Sequence, residues 1–175
     1  ALNVPIIIDD HVIGAISMAS HSRFLSIDNE QINTIERFVN QIAILIKNSK
    51  LYDTLKKEQE FSKRLLESSP ISILLIDNEG KIIYVNPAHE KIFDAKKEDL
   101  IGEIYPEIKN IKDAGIDHLF ERALDGESSF LDDLKYQSLF SGKKLVINLI
   151  FTPIFNKHNQ VETVLLLQYD NTERY

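Results

Sequence analysis

The chain has 175 residues, of which 43% are hydrophobic and 27% are charged, as in an ordinary globular protein. Its formal net charge of −7 argues against nucleic-acid binding, which requires a basic surface. The absence of cysteine excludes disulfides and thiolate chemistry and fits a reducing cytoplasm. No apolar run approaches the ~20 residues of a membrane span. The chain lacks an initial Met and begins almost inside a predicted strand, so we interpret it as a fragment of a longer protein.

Two short apolar runs open the chain. Residues 4–9 and 12–19 flank the turn Asp9-Asp10-His11 and predict a β-hairpin. A long helical pattern then covers residues 28–67, because apolar residues recur every three or four positions and form one stripe. This stripe consists of Ile32, Ile35, Val39, Ile42, Ala43 and Ile46.

The start of the long helix carries a capping signature. Asp28 stands at the N-cap with Gln31 at the third helical position, and Ile27 and Ile32 are spaced for a hydrophobic staple. After Lys47 only a thinner leucine stripe continues on a charged helix. Because such a helix is marginal alone in water, the pattern favours a homodimer through helix 28–67, as in a coiled coil. The alternative is a linker helix that lies on its own domain.

A mixed domain follows the helix breaker Ser68-Ser69-Pro70. Strands are predicted on both sides of the turn Asn78-Glu79-Gly80, and a helix over 114–125 is predicted to start at Asp113 and stop at Gly126. Short helical pieces cover 86–93 and 97–109, and strand runs cover 128–137, 143–155 and 160–170. The fold class is therefore α+β, with an antiparallel sheet and helices inserted between its second and third strands.

The step Asn86-Pro87 joins a strand to a helix. Asn accepts hydrogen bonds from unpaired backbone N–H groups at an N-cap, and Pro at the first helical position has no N–H to leave unpaired. Architecture accounts for both residues without any reaction. Replacing Asn86 by Ala is expected to cost about 1 kcal/mol.

Two segments in the second half resemble a PAS domain. Residues 66–102 run through a strand, a Gly turn, a strand ending in Tyr-Val-Asn-Pro, a helix and Glu-Asp-Leu-Ile-Gly. Residues 152–174 resemble the last PAS hairpin and close on an Asp-x-Thr signature at Asp170 and Thr172. The resemblance implies a five-stranded antiparallel sheet with a pocket between the sheet and the helices.

The first third of the chain resembles the end of a GAF domain. Residues 4–20 look like its final hairpin, and residues 42–55 look like its C-terminal helix. The resemblances together imply three parts. They are a GAF-like end at 1–50, a connecting signalling helix at 51–67 and a PAS domain at 68–175.

This order of domains implies a function in signal transduction. It is common in sensor histidine kinases, so we expect a cytoplasmic sensory module with a pocket for a small ligand, dimer signalling through helices and an effector domain in the same chain. The alternative is a ligand-free PAS module for dimerisation and relay, in a cyclic-dinucleotide cyclase or phosphodiesterase or in a transcriptional regulator. No catalytic residue is expected, because no P-loop, dinucleotide fingerprint or Ser/His/Asp constellation occurs.

Five residues are candidates for lining the pocket: His89, Phe93, Phe120, Asn148 and Gln168. His89 shares a helix face with Phe93 and either reads a polar or anionic ligand or only packs with a satisfied ring nitrogen. Asn148 and Gln168 interrupt apolar strands and face either the pocket or solvent. The two phenylalanines belong to the core or to the pocket wall.

Cofactors and metals find little support. A heme-binding PAS domain uses an inward His on the helix over 114–125, but His118 lies about 200° from Ile116 around the helix and points to solvent. A flavin-binding photosensory PAS domain needs a Cys for its adduct, and redox-flavin PAS domains commonly carry a Trp. The chain has neither residue. His89-Glu90 is not a zinc motif, because Phe93 occupies the partner position. We expect no cofactor or an unknown small organic ligand, and we assign Asp170 and Thr172 to the cap and hinge of an outgoing helix.

Overall fold

The structure is a computed structural model that describes residues 2–19, 28–138 and 141–174. The chain divides into two compact units, residues 1–61 and 62–175. Ile27 lies outside the described residues, so the hydrophobic staple stays a prediction. Among the described helices, none combines the length and the apolar character that a membrane crossing needs.

The first unit begins with the predicted hairpin. Strands β1 (Leu2–Ile8) and β2 (His11–Met18) pair antiparallel, with Ile8 opposite His11. Asp9 and Asp10 form the turn between them, with φ of 48° and 62°. Tight hairpin turns need positive φ at both central residues, and Asp tolerates it better than most side chains.

One continuous helix, α1 (Asn29–Ser68), follows and crosses the predicted boundary at residue 50 without a break. Its capping box is confirmed. Asp28 Oδ1 accepts a hydrogen bond from the backbone N–H of Gln31 at 2.8 Å, and Gln31 Oε1 accepts one from the backbone N–H of Asp28 at 3.2 Å. The predicted stripe is the least exposed face of the helix, with Val39 and Ala43 buried.

The second unit contains the predicted five-stranded antiparallel sheet, in the order β4-β3-β7-β6-β5. Pairing of β3 with β7 places the first and last strands of the unit side by side at its centre. The strands are β3 (Ser72–Asp77), β4 (Ile82–Val85), β5 (Ser129–Gln137), β6 (Lys144–Phe155) and β7 (Val161–Asp170). The α+β fold class is confirmed.

Four helices lie between β4 and β5, as predicted: α2 (Pro87–Phe93), α3 (Lys97–Leu100), α4 (Lys109–Asp113) and α5 (Asp117–Leu124). Single 3-10 turns cover Tyr105–Glu107 and Thr172–Arg174. Asp113 was predicted to cap α5, and this is wrong. Asp113 ends α4, and α5 starts after Ile116 with no side-chain cap. The stop at Gly126 is confirmed by its φ of 89°, which glycine adopts without strain.

The core of this unit lies between the helices and one face of the sheet. Alternate residues of β6 and β7 point inward, as the two-residue period of a strand requires. Ile147, Leu149, Phe151, Val164 and Leu166 are all fully buried. They form one cluster with the inward side chains of α5 and of the turn at Tyr105–Glu107.

Asn86 caps α2 as predicted, but it also joins three other segments. Its Oδ1 accepts from the backbone N–H groups of Ile73 (2.9 Å) and His89 (3.2 Å). Its Nδ2 donates to the backbone carbonyls of Leu66 (3.2 Å) and Ile71 (2.9 Å). The side chain is fully buried. An ordinary cap makes one or two exposed bonds, so the expected cost of about 1 kcal/mol for its loss is too low.

We predict that Asn86→Ala lowers the free energy of unfolding by about 3 kcal/mol, because it removes four hydrogen bonds between a buried side chain and the backbone. The matched control is Asn156→Ala. Asn156 Oδ1 also accepts two backbone bonds, from His158 and Gln160, but in an exposed turn. Its loss should cost less than about 1 kcal/mol. Urea unfolding followed by circular dichroism measures both, and equal losses would contradict the role of Asn86 as a buried junction.

Candidate functional site

A cavity of about 40 Å³ lies between the sheet and the helices of the second unit. Apolar side chains from the strands and helices form much of its wall, including Leu74, Ile82, Phe93, Leu100 and Ile111. Polar side chains interrupt this wall at His89, Tyr105, Asn110, Tyr136, Ser138 and Gln168. An apolar cavity with a few polar groups is the usual form of a small-molecule site.

A buried polar triad stands on one side of the cavity. Ser72 and Gln168 face each other across the β3–β7 pair, and Ser72 Oγ donates to Gln168 Oε1 at 2.8 Å. Nδ1 of His89 lies 2.8 Å from Ser72 Oγ and 3.1 Å from Gln168 Oε1. All three side chains are buried. The helix start at Asn86 sets the position of His89, because it turns the third helical residue toward the sheet.

Burial determines the charge state of His89, and the triad determines which ring nitrogen carries the proton. Burial lowers the pKa of His89 to about 4, although the hydrogen bond with Gln168 and the charge of Glu90 act in the opposite direction. The imidazole is therefore neutral near pH 7. Gln168 Oε1 is an acceptor, so the ring proton is assigned to Nδ1, and Nε2 is left as an acceptor. The ring stacks on Phe93 with centroids 4.5 Å apart.

A second polar group comes from the connection after α3 and from β5. Asn110 Nδ2 donates to the hydroxyl oxygen of Tyr136 and, at 3.4 Å, to the backbone carbonyl of Gln137. The Tyr105 hydroxyl oxygen and Asn110 Oδ1 are buried without a hydrogen-bond partner among residues 2–19, 28–138 and 141–174. Burial raises the pKa of Tyr136 to about 12 and that of Tyr105 well above its ordinary value, so both hydroxyls stay neutral.

Three of the five pocket candidates lie on the cavity wall: His89, Phe93 and Gln168. For His89 the two interpretations coincide, since its ring lines the cavity while one nitrogen is satisfied by the triad. Whether His89 contacts a polar or an anionic ligand stays a prediction.

The other two candidates lie elsewhere. Phe120 packs in the core against the ring of Tyr105, with centroids 6.0 Å apart. Asn148 alternates with the fully buried Ile147 and Leu149, so it sits on the opposite face of β6. Its Oδ1 accepts from the backbone N–H of Asp133 at 2.9 Å. The pocket-facing alternative for Asn148 is therefore wrong, because a strand's side chains alternate and its neighbours take the core side.

Sequence reasoning missed five polar residues of the site: Ser72, Tyr105, Asn110, Tyr136 and Ser138. Ser72 carried a signal, because it is the one hydroxyl inside the apolar run ISILLI and pairs with a strand that contains a lone Gln. The other four carried none. Tyr105 and Asn110 lie on a 3-10 turn and on α4, and they join the site only because these short elements pack near β5.

The C-terminal signature makes a cap on a single turn. Asp170 Oδ1 accepts from the backbone N–H of Thr172 at 2.9 Å and from its hydroxyl at 2.5 Å. The Thr172 hydroxyl oxygen in turn accepts from the backbone N–H of Val146 at 3.0 Å. The two side chains thus join the 3-10 turn Thr172–Arg174 to β6. The hinge function stays a prediction.

His118 is exposed, and its Nδ1 lies 2.7 Å from the carbonyl of Gly115. Its predicted direction toward solvent is confirmed. Within the described ranges, no group of three or more His, Asp or Glu side chains is arranged to hold a metal ion.

Solved structures share the fold of the second unit at low sequence identity. An RNA-binding light-oxygen-voltage receptor matches with a TM-score of 0.58 and 16% identity over 66% of this chain, which spans only 33% of the receptor. A PAS domain of an HTR-like protein from Haloarcula marismortui matches with a TM-score of 0.57 and 16% identity, and the match covers 70% of this chain and 98% of that one. A PAS domain from a two-component sensor histidine kinase matches with a TM-score of 0.53 and 16% identity, and the match covers 66% of this chain and 98% of that one.

No curated protein matches the chain. A family model described as the PAS fold matches residues 66–175, more than half of the chain, and this range contains the sheet, the cavity and the buried triad. The chain therefore belongs to the PAS family of sensory, non-catalytic domains.

Proposed function

We propose that this chain senses a small molecule in the cavity and passes the change through α1 to an effector domain in the same chain. The observation that carries the proposal is the position of Asn86. Its Oδ1 accepts from the backbone N–H of His89, on the cavity wall, while its Nδ2 donates to the carbonyl of Leu66 in the last turns of α1. One buried amide therefore joins the wall of the cavity to the end of the long helix.

A ligand acts on this junction through the position of α2. Displacement of α2 changes the geometry of the bond from His89 to Asn86 and, through the same rigid amide, that of the bond to Leu66. The equilibrium between two positions of the helix shifts only as far as the ligand binds one of them more tightly. A molecule that contacts His89 in one position and not in the other meets this condition.

The same proposal assigns the exposed face of α1 to a second copy of the chain. Ile44, Leu45, Leu51, Tyr52 and Leu55 are all more than half exposed. At 100° per residue they fall within an arc of about 120°, on the side away from the buried Val39 and Ala43. An exposed apolar stripe of this width on a solvated helix indicates a partner helix.

The spacing of the stripe fits a two-stranded coiled coil. Ile44, Asn48, Leu51 and Leu55 are separated by four, three and four residues, which is the spacing of core positions in a heptad. In this register Asn48 and Leu55 take a positions and Leu51 takes a d position. A single Asn at an a position selects parallel, in-register pairing at some cost in stability.

We further propose that the parent protein is a cytoplasmic sensor histidine kinase and that residues 1–50 are the end of a GAF-like domain. The fold match to a PAS domain of a two-component sensor histidine kinase supports the first part. Incubating the full-length protein with γ-labelled ATP tests it. We expect an acid-labile, base-stable phosphoryl group on histidine, and cyclase, phosphodiesterase or DNA-binding activity without autophosphorylation would overturn the assignment.

We predict that Leu51→Glu weakens dimerisation about a hundredfold, because two leucines of the seam lose their burial and two charges enter it. The control is Ser49→Glu, which adds the same charge to an exposed position outside the stripe and should change the dissociation constant less than about threefold. Sedimentation equilibrium measures both. A wild-type chain that stays monomeric at high concentration, or equal effects of the two variants, would count against the pairing.

The neutral state of His89 makes stability depend on pH. Its folded pKa of about 4 lies below the usual value of 6.5, so the unfolded chain binds more protons between these values. Stability is therefore full above pH 6.5 and is lost as the pH falls toward 4. We predict that the free energy of unfolding falls by ~2 kcal/mol between pH 7 and pH 4.5, and that this loss is absent in His89→Gln. The control variant His118→Gln, at an exposed position, should show the same loss as the wild type. Urea unfolding at both pH values measures all three proteins.

A further inference from the structure

Two oxygens on the cavity wall need a hydrogen-bond partner that the described part of the chain does not supply. They are the Tyr105 hydroxyl oxygen and Asn110 Oδ1. The ring of Tyr105 is held by Phe120 and Phe151, with centroids 6.0 and 5.9 Å away, so its hydroxyl is not free to turn to solvent. Because a buried polar atom without a partner destabilises the folded state, both oxygens favour a polar guest in the cavity.

The free groups on the wall include donors at Gln168 Nε2 and the Tyr136 hydroxyl, but Asn110 Oδ1 can only accept and has no partner among the described residues. Asn110 Nδ2 donates to the backbone carbonyl of Gln137, which can only accept, and this orients the amide with Oδ1 free. His89 uses Nδ1 in the triad with Ser72 and Gln168, so its remaining nitrogen, Nε2, is an acceptor. The Tyr105 hydroxyl can both donate and accept. A guest that satisfies this wall must bring N–H or O–H groups.

The wall also limits charge and size. None of the described residues around the cavity is Asp, Glu, Lys or Arg, so a charged guest would lose its hydration without a counter-charge. The cavity volume is about 40 Å³, and a water molecule in the liquid takes about 30 Å³. Such a space, with small movements of the apolar wall, suits a molecule of about two to four non-hydrogen atoms.

We propose that the cavity binds an uncharged hydrogen-bond donor of this size, in the class of short primary amides and alcohols. Its N–H or O–H group donates to Asn110 Oδ1, and its oxygen accepts from the Tyr105 hydroxyl. This inference rests on the proposed function, which assigns a small molecule to the cavity, and it names the chemistry of that molecule.

Three probes of nearly equal shape test the proposal: acetamide, acetone and acetate. Acetamide is neutral with N–H donors, acetone is neutral without a donor, and acetate is charged. Four heavy atoms bind at best with a dissociation constant on the order of tens of micromolar, so each probe is titrated to about 100 mM. The readout is the amide ¹H–¹⁵N spectrum of the full chain. We expect saturable shifts at cavity residues with acetamide and at least tenfold weaker binding of the other two.

A pair of matched variants locates the site. Tyr105→Phe removes the free hydroxyl on the wall and should weaken acetamide about tenfold, the equivalent of one hydrogen bond. Tyr84→Phe is the control. The Tyr84 hydroxyl is also buried without a partner among the described residues, but Tyr84 does not line the cavity. Asn110→Leu removes the acceptor and replaces the first variant if Tyr105→Phe does not fold.

The outcomes separate this inference from the proposed function. Acetone or acetate binding as tightly as acetamide would overturn the donor class while leaving a small-molecule cavity in place. Equal effects of Tyr105→Phe and Tyr84→Phe would overturn the assigned contact. If none of the three probes saturates the cavity, the inference is overturned. The comparison of dimerisation between Leu51→Glu and Ser49→Glu would still test the proposed helix pairing independently.

Discussion

The buried amide of Asn86 is the interaction on which the arrangement of the second unit depends. This one side chain of fixed geometry forms hydrogen bonds with four backbone groups. They belong to Leu66 in α1, Ile71 before β3, Ile73 in β3 and His89 in α2. A carboxylate could accept but not donate, and a hydroxyl would be too short to reach both sides. The helix start, the position of His89 and the attachment of α1 therefore share one cause.

The cavity of the second unit combines an apolar wall with a few polar side chains. The hydrogen bonds among Ser72, His89 and Gln168 hold α2 against the sheet, and the burial of His89 keeps its imidazole neutral. The opposite side, at Tyr105 and Asn110, is only partly satisfied. A half-satisfied wall lowers the stability of the domain alone and raises the gain from any guest that completes it.

Helix α1 has two apolar faces that differ in burial. The face with Val39 and Ala43 is buried within its own chain, whereas the face with Ile44, Leu51 and Leu55 is exposed. A helix of 40 residues gains little from propensity alone, so its order depends on what covers each face. Pairing with a second copy would stabilise the exposed face and make the helix sensitive to the position of its end.

Local pattern determined much of this protein. The hairpin turn at Asp9 and Asp10, the capping box at Asp28, the helix start at Asn86 and the strand sequence of the PAS sheet all follow from rules that act over a few residues. The predicted start of α5 was wrong because no side chain caps its first turn, so no capping residue marks the start in the sequence. Tertiary structure alone decided which polar residues meet. Ser72 and Gln168 are 96 residues apart, and they touch only because β3 and β7 pair at the centre of the sheet. Asn148 lies on the other face of β6 because side chains alternate along a strand. Tyr105 and Asn110 line the cavity because the segment between α3 and α5 packs near it, and no local rule predicts the path of this segment.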